Sequence, residues 1–189
     1  MDTTPEVTVI FATEEHLPFA EKISKLIDDA SKVPGTGIAQ RTPEYIALKI
    51  KEGKGIIAFD VNQNIAGFCY IETWEDGKYI ANSGLIVAPE FRKIGLGKKI
   101  KEKAFELSQL KYPNAKLFGL TTNPAVMKIN SELGYRPVAF SDLTTDDKFW
   151  KGCESCEYYD ILTRLQRKIC LCTAMVYDPQ EKREKIIDN

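Results

Sequence analysis

The sequence predicts one domain of the α/β (α+β) class. Strand-length runs of apolar and β-branched residues alternate with longer stretches in which apolar residues recur at helical spacing. Three consecutive strand-like runs between residues 55 and 87 are separated by polar turn signals at 62–64 and 76–77. The length of 189 residues suits a single domain, residues 1–189.

The N-terminal part is predicted to form a strand and two helices. Residues 6–12 alternate apolar and polar side chains, as a half-buried strand does. A threonine N-cap and acidic residues begin a helix that covers about 13–30. A loop rich in proline and glycine follows at 33–40. The second helix, about 42–52, begins at a threonine followed by a proline, which suits the first helical position.

The remaining elements are predicted from the same two periodicities. The predicted strands are 55–61, 65–74, 79–87, 116–122, 135–143 and 169–177, the predicted helices run to about residue 110 and over 124–133, and the polar, partly helical segment 144–168 is an insert between the last two strands.

Charge and hydropathy exclude several classes of protein. The formal net charge is −1, so we expect neither a nucleic-acid partner nor attraction to a membrane surface. No apolar run is long enough to span a bilayer, and the N-terminus lacks the pattern of a signal peptide. These features predict a cytoplasmic protein. The odd count of 5 cysteines argues against a disulfide framework.

The segment that follows the run ending at Val87 has the features of an anion site. It reads Arg92-x-x-Gly95-x-Gly97-Lys98 and leads into a helix. The first amides of a helix have no partner within it, and the helix dipole adds positive charge there. The glycines allow close approach of a phosphate, and the basic side chains add charge. The alternative is a strand-to-helix turn with packing glycines and solvated basic residues.

This loop resembles the pyrophosphate-binding loop of the GCN5-related N-acetyltransferase (GNAT) superfamily. It matches neither the P-loop nor the dinucleotide-binding fingerprint. The order of predicted elements is also that of the superfamily over nearly the whole chain. Asn123, followed later by Gly134-Tyr135, resembles its second motif. The resemblance implies a mixed, mostly antiparallel sheet flanked by helices, in which the fourth and fifth strands are parallel and splay apart to admit acetyl-CoA.

The resemblance also implies the coenzyme site. A backbone N–H of the fourth strand, at Ile86 or Val87, would bind the developing oxyanion of the thioester. The residues implied for coenzyme binding are Ile86, Val87, Arg92, Ile94, Gly95, Leu96, Gly97, Lys98 and Asn123.

The general acid and the general base stay unassigned. Relatives often protonate the leaving thiolate with a tyrosine four residues before the motif glycine, and Asn130 occupies that position here. Tyr135, Tyr70 or water could substitute, or no side chain is needed because a thiol is already fairly acidic. Glu72 is either a base or, as we favour from the sequence, a solvated strand residue.

Scattered segments resemble the acyltransferase domain of bacterial N-acetylglutamate synthases, the first enzymes of arginine biosynthesis. They include 39–44, 116–122 and 165–168. The resemblance implies that Arg41 and Arg167 clamp the carboxylates of glutamate, because planar guanidinium groups match carboxylates. The alternative is that both are surface arginines.

Other functions remain open. The acceptor could be another small amine, such as a polyamine or an aminoglycoside, or a protein N-terminus, although near-neutral charge disfavours a cationic acceptor. The missing tyrosine keeps open a non-catalytic regulator that binds acyl-CoA. We also keep open a homodimer.

The cysteines of the insert have two interpretations. Cys153 and Cys156, together with Cys170 and Cys172, form two pairs that could hold a structural zinc ion if the insert folds back. Alternatively, they are small apolar packing residues, since buried free cysteine is common.

Overall fold

A mixed β-sheet forms the centre of the protein. The computed structural model describes residues 5–181. Within them the sheet has seven strands in the order β1-β2-β3-β4-β5-β7-β6, and only the β4–β5 pair is parallel. This architecture confirms the predicted fold class. The strands are β1 Val7–Phe11, β2 Gly55–Asp60, β3 Ile65–Trp74, β4 Tyr79–Val87, β5 Lys116–Thr121, β6 Arg136–Pro137 and β7 Thr173–Tyr177.

Helices cover both faces of the sheet. Alternate strand residues point to opposite faces, and separate apolar clusters form on them. One cluster joins the sheet to α3 through Ile100 and Ala104, and another joins it to α1 and α2 through Ile27 and Ile46. The helices are α1 Ala20–Ser31, α2 Pro43–Lys51, α3 Leu96–Lys111, α4 Pro124–Glu132, α5 Asp147–Lys151 and α6 Tyr159–Arg164.

The start of the first predicted helix is different in the structure. Residues Glu14–Phe19 form a 3-10 helix, and the α-helix begins only at Ala20. Pro18 lies inside the 3-10 segment. Because proline has no N–H to donate, it interrupts the hydrogen-bond ladder of an α-helix at this point.

The two C-terminal strands are shorter than predicted. β6 has two residues, and a 3-10 turn at Phe140–Asp142 follows it. β7 begins only at Thr173, since Ile169 and Leu171 are 61% and 58% exposed and have no partner strand among the described residues. The intervening segment, predicted as an insert, carries α5 and α6. Apolar runs alone therefore overestimated both strands.

The strands β4 and β5 pair only at one end. Tyr79 to Ala81 face Lys116 to Phe118, although the strands have nine and six residues. Beyond this point the strands separate, as the resemblance implied. The resulting gap leaves backbone groups in the middle of a sheet without a neighbouring strand.

A bulge in β4 borders this gap. The register between β3 and β4 shifts near Tyr70, and Gly84 has φ +64°. A Cβ atom on Gly84 would lie 2.5 Å from Cε1 of Tyr70. Only glycine combines this backbone conformation with the space that the Tyr70 ring occupies.

We predict that Gly84→Ala destabilises the protein by about 3 kcal/mol, from a left-handed alanine and from displacement of Tyr70. Gly35→Ala is the matched control, because Gly35 has φ +82° but no atom within 4 Å of the added Cβ. It should cost about 1 kcal/mol. Urea unfolding measures both free energies, and equal losses would contradict the role assigned to the Tyr70 contact.

Candidate functional site

A large cavity occupies the gap between β4 and β5. Its volume is about 1510 Å³, and it extends from the N-terminus of α3 to the insert. One end is lined by the loop before α3, and the other by Arg41, Tyr70 and Phe149. A ligand in this cavity would cross the sheet through the gap, so it would contact both faces of the protein.

The coenzyme-binding residues expected from sequence mostly line this cavity. Ile94 is the exception, because its side chain packs against the apolar cluster under α3. Gly95 is the N-cap of α3 with φ +81°, and a Cβ on Gly97 would have only Val87 Cγ2 nearby, at 3.8 Å. The expected residues that line the cavity are Ile86, Val87, Arg92, Gly95, Leu96, Gly97, Lys98 and Asn123.

Side chains of the loop have partners that position them. Arg92 Nε donates to Val87 O at 3.1 Å, and Lys98 forms an ion pair of 2.7 Å with Glu132 of α4. Asn123 caps α4, since its Oδ1 accepts from the Ala125 amide at 2.8 Å. Two helix N-termini therefore border the same cavity, which favours an anionic ligand.

A buried polar cluster lies where β4 and β5 separate. Tyr135 Oη donates to Asn82 Oδ1 at 2.9 Å, and Asn82 Nδ2 donates to Ser108 Oγ at 3.0 Å. Asn130 is 1% exposed, and its Oδ1 has no hydrogen-bond partner among the described residues. Burial raises the pKa of Tyr135 well above its ordinary value. Tyr135 is thus a poor substitute for the missing tyrosine acid.

Arg41 reaches the cavity from the loop before α2. Its Nε donates to Tyr70 Oη at 2.7 Å, and its Nη1 donates to Gln40 O at 2.7 Å and Gly152 O at 3.4 Å. Burial opposes the positive charge, but the hydroxyls of Tyr70 and Tyr45 outweigh it and raise the pKa of Arg41. Arg41 lines the cavity, and among the described residues its Nη2 has no hydrogen-bond partner.

Tyr70 connects Arg41 to a buried ion pair. Tyr45 Oη donates to Glu72 Oε2 at 2.5 Å, and the rings of Tyr45 and Tyr70 pack edge to face with centroids 5.6 Å apart. Lys49 Nζ lies 2.7 Å from Glu72 Oε2, and the two side chains are only 5% and 12% exposed. Glu72 is therefore not the solvated strand residue that we favoured from sequence. Its carboxylate is already occupied by Lys49 and Tyr45.

Arg167 does not lie at the cavity. It is half-exposed beyond α6, has φ +60°, and pairs with Asp147 through Nη1 at 2.5 Å. Gln166 and Arg167 both have a left-handed backbone conformation, with φ of +53° and +60°, in the segment between α6 and β7. The structure thus brings one of the two expected arginine clamps to the site and leaves the other on the surface.

The cysteines support the packing interpretation. All 5 are free thiols, and Cys153, Cys170 and Cys172 pack against the apolar cluster around Phe118. Burial and neighbouring thiols raise the pKa of Cys153 to about 11 and of Cys172 to about 12. Within residues 5–181, no group of three or more His, Cys, Asp or Glu side chains is placed to hold a metal ion.

Two buried lysines were missed from the sequence. Lys49 and Lys101 are only 4% and 2% exposed, although each has other charged residues near it in a helical segment of the sequence. Their helical spacing was the available signal, because Lys49 follows Ile46 by three positions, and Lys101 precedes Ala104 by three.

In the part of the chain that is described, no helix is both long and apolar enough to cross a membrane.

Comparison with known sequences finds one family. The sequence model described as the acetyltransferase (GNAT) family matches residues 23–130, which is more than half of the chain. No curated protein matches significantly.

Several solved structures share the fold. N-acetylglutamate synthase from Neisseria gonorrhoeae, complexed with coenzyme A and N-acetyl-glutamate, has a TM-score of 0.65 and 17% identity over 93% of this chain and 36% of that one. A Mycobacterium tuberculosis protein in complex with CoA and NLQ gives 0.64 and 13%, over 90% of this chain and 98% of that one. A phosphinothricin acetyltransferase from Sinorhizobium meliloti, in complex with AcCoA, gives 0.62 and 14%, over 93% and 89%.

We predict that Glu72→Gln destabilises the protein by about 3 kcal/mol, because it leaves the buried charge of Lys49 without its main partner. Among the described residues, Lys49 would retain the 3.2 Å ion pair with Glu52 and a cation–π contact, 5.0 Å from Nζ to the centroid of the Tyr45 ring. Adding Lys49→Met should recover part of the loss. A double-mutant cycle in urea measures the coupling, and additive losses would show that the pair contributes nothing as a pair.

Proposed function

Because the chain belongs to the acetyltransferase (GNAT) family, we propose that it transfers an acetyl group from acetyl-CoA to the amine of a small amino acid, with glutamate as the preferred acceptor. The observation that carries the proposal is the position of Arg41. Arg41 lines the cavity that begins at the glycine loop before α3. Among the described residues its Nη2 has no hydrogen-bond partner, so it is available to a carboxylate.

The coenzyme would occupy the α3 end of the cavity. The glycine loop, the N-termini of α3 and α4, and Arg92 offer amides and charge to its phosphates. The gap between β4 and β5 would hold its extended arm. Solved members of the fold were crystallised with CoA or AcCoA, which supports the same ligand here.

Backbone geometry favours Val87 as the oxyanion donor. The amide of Ala88 donates to Ala66 O at 2.9 Å, so Ala88 faces β3. Because N–H groups alternate in direction along an antiparallel strand, the Val87 amide points away from β3 into the gap. Attack of a neutral amine on the thioester carbonyl would place negative charge on an oxygen near this N–H.

The acceptor would occupy the other end. Arg41 would bind one carboxylate of glutamate through Nη2, and its Tyr70 bond fixes the guanidinium plane. Glu72, which pairs with Lys49, also accepts a hydrogen bond from Tyr45, so this wall of the cavity is preorganised for the substrate. Preorganisation of this kind aligns the amine with the thioester.

A second candidate is a regulator that binds acyl-CoA without turnover. Asn130, which cannot donate a proton as an acid, is the observation that favours it. The gonococcal synthase is also much longer, since the chain spans 36% of its length. Undetectable thioester cleavage with every amine would favour the regulator, and cleavage with a cationic amine or a protein N-terminus would replace glutamate.

We predict that acetyl-CoA raises the melting temperature of the wild type by mass action. Gly97→Leu should abolish this shift, because the new side chain would project beside Val87 where the coenzyme binds. The fold should survive, since leucine is a better helix former than glycine. Thermal unfolding with and without coenzyme measures both effects. A full shift in Gly97→Leu, or no shift in the wild type at saturation, would contradict the assigned site.

We predict that Arg41→Ala raises the KM for glutamate by roughly tenfold to a hundredfold, because one arm of a charge-assisted pair is lost. Arg41→Lys should restore activity in part, since lysine keeps the charge but not the planar fork. Arg167→Ala should change KM little, because it loses only its surface pair with Asp147. Steady-state thiol release measures each KM, and equal effects of the two alanine variants would overturn this distinction.

A further inference from the structure

Lys101 is a charged residue in a place that normally excludes charge. It lies on the inward side of α3 between Gly97 and Ala104 and is 2% exposed. Among the described residues Lys101 has no ion pair or hydrogen bond, and its Nζ is not one of the fully enclosed unpaired side-chain atoms, so it opens onto the cavity that Lys101 lines. A charged amino group at this depth is costly unless water or a ligand in the cavity binds it.

The ammonium group borders the cavity at the point where β4 and β5 separate. Lys101 lines the cavity together with Asn82, Gly119 and Asn130. Its Nζ lies 5.6 Å from the ring centroid of Tyr135, which also hydrogen-bonds Asn82. Gly119 lies between the two asparagines, since a Cβ atom added to it would lie 3.8 Å from Asn82 O and 3.9 Å from Asn130 Nδ2. Lys101 and Asn130 are thus linked along this cavity wall through Tyr135, Asn82 and Gly119.

Asn130 supplies the complementary atom. Its Oδ1 is a buried acceptor without a partner among the described residues, while its Nδ2 contacts Met175 Sδ at 3.8 Å. In sequence it occupies the position from which relatives deliver a proton to the coenzyme thiolate. An amide cannot deliver that proton. The same cavity wall thus lacks an acid at Asn130 and carries, at Lys101, an amino group without an ion-pair partner among the described residues.

We infer that Lys101 is the general acid that protonates the leaving thiolate of the coenzyme, an inference that rests on the proposed function. When the tetrahedral intermediate collapses, the carbon–sulfur bond breaks and its electron pair goes to sulfur. One ammonium proton moves from Nζ to sulfur, which gives the thiol and a neutral amine. Solvent water returns a proton to Nζ. The proton count balances, because the acceptor amine has released one proton to solvent.

The surroundings of Lys101 act on its pKa in opposite directions. Burial lowers its pKa, and the nearby thiol of Cys69 opposes this effect. The titratable groups that face it are Cys69 of β3, with a pKa raised by burial to about 11, and Tyr135, with a pKa that burial also raises. Both neighbours are neutral at physiological pH, so neither holds the proton on Lys101 as a carboxylate would.

Single-turnover thiol release tests the inference, because it isolates the chemical step from product release. Lys101→Met should lower this rate by about 10²-fold and leave the coenzyme-induced thermal shift unchanged. Lys103→Met on the same helix is the matched control, since Lys103 pairs with Glu106 away from the cavity. Asn130→Tyr added to Lys101→Met should restore the rate at least tenfold by returning the tyrosine acid.

The pH profile separates catalysis from structure. The acceptor amine must be neutral and Lys101 must be charged, so the wild-type rate should rise and then fall as pH increases. Lys101→Met should lose the alkaline fall. It should fold, because methionine fits an apolar site of similar length. If Lys101→Met aggregates, Lys101→Gln and the wild-type pH profile provide the same test.

Three outcomes overturn the inference. A Lys101→Met rate within threefold of the wild type would show that no proton comes from this side chain. Loss of coenzyme affinity at an unchanged single-turnover rate would make Lys101 a binding residue. A wild type that binds acetyl-CoA but releases no thiol with any amine would refute the proposed function as well.

Discussion

The site depends on one interruption of backbone pairing. β4 and β5 pair through Tyr79 to Ala81 and then separate in the middle of the sheet. Backbone amides at such a gap need partners, because buried unpaired N–H and C=O groups are costly. A ligand that lies between the strands can satisfy them and cross from one face to the other. The bulge at Gly84 and the glycine loop before α3 keep both approaches open.

The two ends of the cavity are built by different means. The end proposed for the coenzyme uses helix N-termini, glycines and exposed cations, which suit phosphates of many ligands. The end proposed for the acceptor uses a series of contacting groups, from Arg41 through Tyr70 and Tyr45 to Glu72 and Lys49. The Tyr70 hydroxyl accepts from Arg41, and the Tyr45 hydroxyl and Lys49 bind the Glu72 carboxylate. In the proposed function, the guanidinium of Arg41 would therefore be the group that selects the acceptor.

Local features could be predicted from the sequence, whereas tertiary ones could not. The glycine loop before α3 and the helix α4 depend on residues a few positions apart, and both were predicted from the sequence. The pair of Lys49 and Glu72 spans 23 residues, and no local pattern distinguishes it from solvated charges. The surface position of Arg167 could not be predicted either, because the spacing of residues in the sequence does not reveal the left-handed backbone at Gln166 and Arg167. The predicted bounds of the last two strands were also wrong, because an apolar run does not show whether a neighbouring strand is present.

The central claim is acyl transfer to an acidic amino acid, and the product tests it most directly. The protein would be incubated with acetyl-CoA and an equimolar mixture of the protein amino acids, with thiol release and N-acetylated products quantified by mass spectrometry. We expect N-acetylglutamate to dominate and its amount to equal the thiol released. A dominant product from a neutral or cationic amine, or thiol release without any N-acetylated amino acid, would contradict the account.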